Sequence, residues 1–412
     1  MPSGASSPVR QVLAEPAVRV GVGVTLVIML GYGLIVPVLP LYARSFGVGR
    51  AEVGMLLSAF ALTRLAFDLV AGPLVDRYGP RSVATVGAAT VGVSAALSAV
   101  APSFGLLVLF RAVGGAGSSI LFAAVMSFLL GTIPANRMAR TMSFYYASFL
   151  LGTMLGQPAG GLIASRMGLA APLWFYAGAC VVSAGLTFRF LSGRGSLQPP
   201  RAATAGEVLA EAEGVAATTW GRLRFLLSNR AFVAALAANA ALFWVLGSVR
   251  LTLVPLFAQE ELGLGEAGIG GVLGAAAVGQ FLLMWQAGAL ADSRGRKVVL
   301  VPALLALGGA TALVGWVSSL ALLVVTMVVL GVASGFSGVV PAAVVADVSP
   351  RGRSGTAVGA YRFAGDLGFV LGPLVAGVVA DAAGFRSAFL VVAVPVALVG
   401  LLAARMPETL RR

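Results

Sequence analysis

The sequence predicts an all-α membrane protein with twelve transmembrane helices in two pseudo-symmetric six-helix bundles. Three observations predict this fold. The 412 residues are 59% hydrophobic and only 10% charged, the apolar residues fall in twelve long runs, and the two halves of the chain repeat one pattern. A soluble domain carries about 25% charged residues, so this chain has too little polar surface to face water.

The apolar runs place the individual helices. A helix needs about 20 mostly apolar residues to cross a bilayer. Runs of this length predict helices in the first half at 20–43, 51–73, 82–101, 104–132, 138–165 and 171–191. In the second half they predict helices at 230–258, 265–290, 297–317, 320–347, 355–381 and 385–405. We therefore predict two bundles, 1–191 and 230–412, joined by a polar linker, 192–229, that contains a short surface helix.

The basic residues indicate the orientation of the chain. Of its 28 lysines and arginines, those in the predicted outer segments are Arg44, Arg50, Arg166 and Arg386. Those within predicted spans are Arg64, Arg111, Arg250 and Arg362. All others fall on the opposite side, and basic segments face the cytoplasm. We therefore predict that both termini are cytoplasmic and that the protein is a multi-pass protein of the bacterial inner membrane.

The composition excludes several classes of function. The chain has no histidine and one cysteine, Cys180, so it has neither a histidine-based catalytic triad nor a Cys-based metal cluster. No Gly-x-x-x-x-Gly-Lys-Ser/Thr motif occurs, which argues against direct use of ATP. Scattered arginines also argue against a nucleic-acid partner. We expect no enzymatic activity, no metal and no cofactor, with a proton gradient as the energy source and carboxylates as the proton carriers.

The two halves repeat one another at an offset of 216 residues. The aligned pairs include Gly47 and Gly263, Gly54 and Gly270, Gly72 and Gly288, Asp76 and Asp292, Gly79 and Gly295, Tyr145 and Tyr361, and Gly152 and Gly368. One offset that holds over three separate regions indicates an internal duplication. Parallel repeats of this kind are typical of transporters whose central site lies where the halves meet.

Two predicted loops carry one short motif. The first reads Gly72-Pro-Leu-Val-Asp76-Arg77-Tyr-Gly79-Pro-Arg81, and the second reads Gly288-Ala-Leu-Ala-Asp292-Ser-Arg294-Gly295-Arg296-Lys297. Both resemble the G-x-L-a-D-r-x-G-r-k signature of the major facilitator superfamily, although the first departs from it at Pro80, where a basic residue is usual. The resemblance covers nearly the whole chain. It implies that Asp76 helps to hold the halves together on the cytoplasmic side.

Physical chemistry gives these loop residues further expected roles. The glycines allow a helix to end, turn and pack closely. The aspartates can accept hydrogen bonds from backbone N–H groups at a helix start, where the helix dipole favours negative charge. The basic residues can bind carboxylates or lipid phosphates at the membrane surface.

Further motifs resemble those of exporters in this family. Arg111 begins Arg-Ala-Val-Gly114-Gly115, which resembles an R-x-x-x-G motif linked to proton coupling. The sequence Gly152-Thr-Met-Leu-Gly156-Gln157-Pro158 resembles a glycine and proline motif of antiporters, with its proline displaced by one position. The alternatives are a structural arginine satisfied by backbone carbonyls and ordinary glycine packing in a transporter of either direction.

Two helices carry an Arg-x-x-x-Asp pattern. Arg64 and Asp68 share one helix face, and so do Arg362 and Asp366. At about 1.5 Å per residue, each aspartate lies at the depth of the other helix's arginine. The resemblance implies that these two helices face one another, so we hypothesise a four-charge gate on the cytoplasmic side. The alternative is two local pairs, each neutralised along its own helix.

The family resemblance implies proton-driven, multidrug-type efflux of a hydrophobic or amphipathic small molecule by alternating access. Asp68 or Asp366 would respond to protons, and Arg111 would support coupling. Polar or amphipathic candidates for the substrate cavity are Tyr32, Tyr145, Gln157, Asn239, Trp244, Arg250, Gln280 and Trp285. We predict a monomer whose partners are the lipophilic substrate and membrane lipids. The alternatives are a metabolite importer or symporter, a lipid flippase and a non-transporting membrane sensor.

Overall fold

The computed structural model describes residues 15–133, 135–191, 219–349 and 355–410, and the regular structure within them is helical. The first half contains α1 (Pro16–Ile35), α2 (Leu39–Arg44), α3 (Arg50–Ala99), α4 (Phe104–Thr132), α5 (Ala135–Met167) and α6 (Ala171–Phe190). The second half contains α7 (Thr219–Leu227), α8 (Arg230–Val245), a π-helix (Leu246–Leu253), α9 (Val254–Glu260), α10 (Glu266–Arg294), α11 (Arg296–Val314), α12 (Leu320–Val348) and α13 (Gly355–Ala403).

The long helices account for the predicted number of membrane spans. Within the described residues, ten helical segments are long and apolar enough to cross a bilayer. However, α3 has 50 residues and α13 has 49, which is about 75 Å at 1.5 Å per residue and more than twice the hydrocarbon thickness. Each breaks at a glycine with positive φ, Gly79 at 78° and Gly384 at 77°. Each therefore supplies two spans, and the described residues contain the twelve spans that the sequence predicted.

The 216-residue repeat extends to the backbone geometry. The glycines with positive φ among the described residues form three pairs at this offset: Gly47 with Gly263, Gly79 with Gly295, and Gly168 with Gly384. The helix caps repeat as well, because Ser103 accepts a hydrogen bond from the N–H of Leu106, and Ser319 accepts one from the N–H of Leu322. Positive φ is inexpensive only for glycine, so the sequence repeat preserves the same turns in both halves.

Some details differ from the sequence prediction. The predicted helix 20–43 is interrupted by a turn at 36–38, which contains Pro37 and separates α1 from α2. The predicted helix 230–258 contains a π-helical segment in its second half. Most of the predicted linker, 192–218, lies outside the described residues, but α7 falls within the linker's described end.

Contacts divide the chain into two compact units. One comprises Met1–Tyr42 with Ala59–Pro200, and the other comprises Ala43–Ser58 with Arg201–Arg412. The start of α3 therefore belongs to the second unit and its remainder to the first.

Close contact between α1 and α5 organises the first unit. A Cβ added at Gly156 would collide with the carbonyl of Leu30, and one added at Gly160 would collide with the carbonyl of Leu34. A Cβ at Gly152 would lie 2.8 Å from the oxygen of Leu26. Glycines spaced four residues apart thus form one stripe along α5 that lets the two helix backbones touch.

Equivalent contact between α8 and α13 organises the second unit. A Cβ at Gly368 would collide with the carbonyl of Ala240, and one at Gly372 would lie 2.7 Å from the oxygen of Trp244. These glycines stand 216 residues after Gly152 and Gly156. The duplicated glycine motif therefore has the same packing role in both halves.

The start of α3 is fixed in the second unit by charged groups. Asp381 accepts hydrogen bonds from the backbone N–H groups of Arg50 and Ala51, at 3.0 and 2.7 Å. The Arg50 guanidinium binds Glu260 and lies 4.1 Å from the ring centroid of Phe385. A carboxylate from another segment therefore caps this helix, in agreement with the positive end of the helix dipole.

Candidate functional site

A buried arginine on α4 dominates the interior of the first unit. Arg111 is 1% exposed, and its guanidinium lies 4.8 Å from the ring centroid of Phe60 on α3. The charge also lies within electrostatic range of the phenols of Tyr32 and Tyr176, whose rings pack edge to face at 6.4 Å. Among the described residues, none accepts a hydrogen bond from Nε or Nη1 of Arg111. The aromatic rings therefore provide most of its described surroundings.

Gly115 explains the spacing of the Arg-x-x-x-Gly motif. A Cβ at this position would collide with the carbonyl of Phe60, so α3 and α4 are in direct backbone contact. One turn away, Thr63 donates a hydrogen bond to the carbonyl of Ala112 at 2.6 Å. The glycine thus brings α3 close enough for the ring of Phe60 to face the guanidinium of Arg111.

The predicted proton-responsive carboxylate of the first unit also faces α4. Asp68 is partly buried and accepts a hydrogen bond from the hydroxyl of Ser119. Arg64, one turn earlier on α3, is partly buried and lies within electrostatic range of Tyr32. The structure therefore places Arg64, Asp68, Arg111 and Tyr32 in the same unit. The four-charge gate, which also requires Arg362 and Asp366, stays a prediction.

The other cavity candidates of the first unit lie on α5. Tyr145 is 5% exposed and packs edge to face on Tyr146 at 5.4 Å. Gln157 is also 5% exposed, and its Oε1 has no protein donor. Tyr145 belongs to the apolar core of this unit, whereas Gln157 presents an unused acceptor.

The second unit buries an arginine of its own, within the π-helix. Arg250 is 5% exposed, and its Nη1 donates to Oε1 of Gln280 on α10 at 2.8 Å. Its Nε has no acceptor in the part of the chain that the structure describes. Two of the predicted cavity candidates therefore contact each other directly.

The remaining candidates of the second unit have different surroundings. Asn239 donates to the carbonyl of Tyr361 at 2.7 Å, and the indole N–H of Trp244 donates to the carbonyl of Val392 at 3.1 Å. Trp285 is 57% exposed and packs on Phe281.

The two predicted gate residues of the second unit lie on α13 and differ in exposure. The side chain of Asp366 is 5% exposed, whereas that of Arg362 is exposed.

The second loop motif forms a charged cluster between α10 and α11. Arg296 pairs with Asp292 of the motif and with Asp347 at the end of α12, the latter at 3.2 Å. Glu408 accepts hydrogen bonds from the N–H groups of Arg296 and Lys297 at 2.8 and 3.0 Å. We expected the motif aspartate to cap the helix start, but Glu408 occupies that place because Asp292 lies a turn earlier and pairs with Arg296.

These backbone donors stabilise the ionised form of Glu408. Burial alone raises the pKa of this carboxyl, but the N–H groups of Leu410, Arg296, Lys297 and Thr409 outweigh it. The pKa of Glu408 therefore lies below its ordinary value. Thr409 adds a hydrogen bond to Asp347 at 3.1 Å, which links the same segment to α12.

The first loop motif has simpler surroundings. Gly72, Asp76 and Arg77 are exposed, and Arg77 lies 5.2 Å from the ring centroid of Tyr78. Arg81 lies 4.5 Å from the ring centroid of Phe188 on α6. Gly79 supplies the turn, as Gly295 does in the second motif, whereas Gly288 lies within α10.

Sequence analysis missed several partners of the predicted residues. Phe60, Tyr176 and Ser119 surround the charges of the first unit, yet each is an ordinary residue of an apolar helix. Asp347 and Glu408 gave a weak signal, because the chain has only 15 acidic residues and both fall near predicted cytoplasmic ends. A search for acids able to balance the loop-motif arginines would have found them.

The repeated six-span halves and the charges inside the spans define the class of this protein as a polytopic helical membrane protein of duplicated, transporter-like architecture. Comparison with known proteins gives the family. The family model described as Major Facilitator Superfamily matches residues 22–276 and 248–410. The chain therefore belongs to the Major Facilitator Superfamily, whose members are transporters and not enzymes.

Relatives of known sequence match part of the chain. The quinolone resistance protein NorA of Staphylococcus aureus is 31% identical over 137 residues, which are 33% of this chain and 35% of NorA. An uncharacterised MFS-type transporter, MJ1560, of Methanocaldococcus jannaschii is 29% identical over 152 residues, which are 37% of this chain and 39% of that protein. The matched part thus spans just over a third of the length of these relatives.

Solved structures match the fold over nearly the whole chain. The nucleoside transporter NupG aligns with a TM-score of 0.76 at 14% identity, covering 94% of this chain and 98% of NupG. A bacterial homologue of the human lysosomal transporter Spinster, in an inward-facing and unoccupied conformation, aligns with a TM-score of 0.77 at 16% identity, covering 97% of each chain. The human organic anion transporter MFSD10 aligns with a TM-score of 0.66 at 22% identity, covering 97% of this chain and all of that one.

Proposed function

We propose that this transporter is a proton-driven antiporter that exports a hydrophobic or amphipathic small molecule by alternating access. The observation that carries the proposal is the placement of carboxylates inside spans of a chain without histidine. Asp366 is 5% exposed within α13, and Asp68 is partly buried against Ser119 within α3. Ionisable groups inside membrane spans are energetically costly to bury and are generally functional.

The surroundings of Arg111 support proton coupling. Arg111 is a buried cation that faces an aromatic ring, and the described residues form no ion pair with it. Asp68 and Arg111 occupy the same unit and contact the same pair of helices, α3 and α4. Uptake of a proton by Asp68 would therefore change the charge balance between α3 and α4.

Efflux is supported by the partial similarity to a quinolone resistance protein. The glycine stripe of α5 supports it as well, because it matches the residues that resemble the antiporter motif. We further propose that the protein lies in the bacterial cytoplasmic membrane with both termini inside, in accord with its arginine distribution. The proposed energy source is the proton gradient, and the proposed working unit is a monomer.

Asp366→Asn tests the coupling. In proteoliposomes that contain the full chain and a pH-sensitive dye, addition of a lipophilic dye substrate should release protons through the wild type. The variant should lose this proton movement and active accumulation, by roughly 10-fold or more, because its side chain cannot ionise. Exchange of substrate down its own gradient should continue, since it requires no net proton transfer.

Glu261→Gln provides the matched control, because it removes an exposed carboxylate between α9 and α10. It should leave both activities unchanged. If wild-type transport ignores an imposed pH gradient, the proposed proton coupling is wrong. Accumulation of the substrate in the direction of proton entry would instead indicate a symporter.

A further inference from the structure

Arg250 has fewer acceptors than a buried guanidinium requires. The group offers five N–H donors, yet the described residues supply one acceptor, Oε1 of Gln280, and Nε has none. The residue is 5% exposed. The described part of the chain forms no ion pair with it, so none of the described carboxylates balances its positive charge.

The depth of Arg250 excludes a lipid headgroup as its natural partner. The span that contains it runs over Arg230–Glu260, and Arg250 lies about 15 Å from the nearer end at 1.5 Å per residue. This distance is half of a hydrocarbon core of about 30 Å. A long arginine side chain reaches the interface only from positions near a helix end.

The buried carboxylate of the second unit is also too far away. Asp366 follows Gly365, which packs against the side chain of Asn239 on α8. Arg250 lies about 16 Å further along the same span than Asn239, at about 1.5 Å per residue. Asp366 therefore lies at another level of the unit, and the counter-charge of Arg250 has to come from outside the described residues.

The π-helix places this arginine without exposing backbone groups. Thr252 donates to the carbonyl of Gly247 at 2.8 Å, and Ser248 donates to the carbonyl of Trp244. These hydroxyls bind carbonyls that a widened helical turn leaves weakly paired. Gly247 packs against Pro373, where a Cβ would lie 2.9 Å from the proline ring. Hydroxyl groups and close packing thus support the widened turn, whereas its arginine has one described acceptor.

A structural role does not account for this arrangement. An unbalanced charge in a low-dielectric interior destabilises the fold, and an apolar residue of similar volume would pack there at lower cost. Charged residues inside membrane spans are generally functional and mark substrate or ion pathways, proton relays or ligand counter-ions. Gln280 orients the guanidinium through one nitrogen and leaves the others available.

The geometry points to Arg250 as the binding group for an anionic substituent, a carboxylate or a sulfonate, on an amphipathic substrate of this transporter. Gln280 is the positioning residue that fixes the guanidinium. This inference rests on the proposed function, since it names the chemical class of the molecule that is exported. It extends the expected lipophilic substrate to one with an apolar body and one negative charge.

A pair of fluorescent probes tests the inference with the purified full chain in nanodiscs. Pyrenebutyrate and pyrenebutanol share one apolar body, and only the first carries a carboxylate at pH 7.4. The wild type should bind pyrenebutyrate about 10-fold to 100-fold more tightly, which is the range for a charged hydrogen bond in a dry site. Arg250→Gln should bring the ratio of the two dissociation constants close to one, and Arg250→Lys should keep part of it.

A second variant keeps the test decisive if Arg250→Gln does not fold. Gln280→Glu places a permanent carboxylate beside the guanidinium, which balances the charge while preserving the contact. It should abolish the preference for pyrenebutyrate and bring the ratio of the two dissociation constants close to one. Arg166→Gln, an exposed arginine at the end of α5, alters the net charge equally and should leave the ratio as in the wild type.

The outcomes separate this inference from the proposed function. A wild type that binds both probes equally, or an Arg250→Gln variant that keeps the preference, overturns the anionic site. Retention of the preference by Gln280→Glu overturns it as well. Failure of proton coupling appears instead in the proteoliposome assay, which uses Asp366→Asn and does not depend on which probe binds more tightly.

Discussion

Individual side chains explain why the two loop motifs differ. Position 80 holds proline where the second copy has Arg296. Arg296 has carboxylate partners in Asp292 and Asp347, and the residue 216 positions before Asp347 is Gly131. A basic residue at position 80 would thus lack the second of these carboxylates. The first half therefore lacks both the basic residue of the motif, at Pro80, and the acid that would pair with it, at Gly131.

Glu408 gives a prediction at this scale. The pKa of its carboxyl is lowered in the folded protein by backbone N–H donors that outweigh burial. Its contribution to stability is therefore present above the unfolded pKa of about 4.3 and is lost as the pH falls through the lower, folded pKa. Glu408→Gln should reduce the melting temperature slightly at pH 7, because an exposed cap contributes about 1 kcal/mol or less.

Thermal unfolding in detergent between pH 3 and pH 7 measures this effect. The difference between the wild type and Glu408→Gln should shrink as the pH falls through the lowered folded pKa of Glu408, where the wild-type carboxyl takes up a proton. Glu261→Gln should follow the wild type at every pH. A difference that grows on acidification would contradict the assigned role of Glu408.

At the scale of helices, the glycine stripes determine which elements touch. The stripe on α5 contacts α1, and the stripe on α13 contacts α8. The sequence predicted that small residues four apart would permit close packing, and the contacts confirm it. The sequence did not predict the π-helix, because its extra residue per turn leaves no compositional mark in Leu246–Leu253. The turn at Pro37 was hidden by the apolar residues on both sides of it.

A pair of identical substitutions tests the stripe. Gly156→Ala places a methyl group against the carbonyl of Leu30, and the facing backbone cannot yield. We expect destabilisation of about 1–3 kcal/mol, as for other overpacked positions. Gly23→Ala, on α1, meets no atom within 4 Å and should be neutral or slightly stabilising, because alanine favours helix. Differential scanning fluorimetry of both variants measures the contrast, and equal melting temperatures would refute it.

At the scale of the whole molecule, the sequence predicted the number of spans and the duplication because both depend on patterns that persist over hundreds of residues. The 216-residue offset that aligned Gly47 and Gly79 with their counterparts also relates Gly168 to Gly384, and both of these glycines have positive φ. The surroundings of Arg111 could not be predicted in this way. Phe60, Tyr32 and Tyr176 come from three other helices, and only tertiary packing brings them together.

The four-charge gate is a prediction about the whole transport cycle. Replacing Asp68 by arginine should abolish export in the proteoliposome assay, because it would oppose like charges in the proposed pairing with Arg362. The double variant Asp68→Arg with Arg362→Asp should restore part of the activity. Absence of rescue, with both variants folded, would favour two pairs formed along separate helices.

The position of Glu408 has a practical consequence for handling the protein. The carboxylate that caps α11 belongs to the short segment that follows α13 and not to a helix. Proteolytic cleavage between α13 and Glu408 would therefore leave two N–H groups of α11 without their acceptor. Intact-mass spectrometry of each preparation should precede any comparison of melting temperatures.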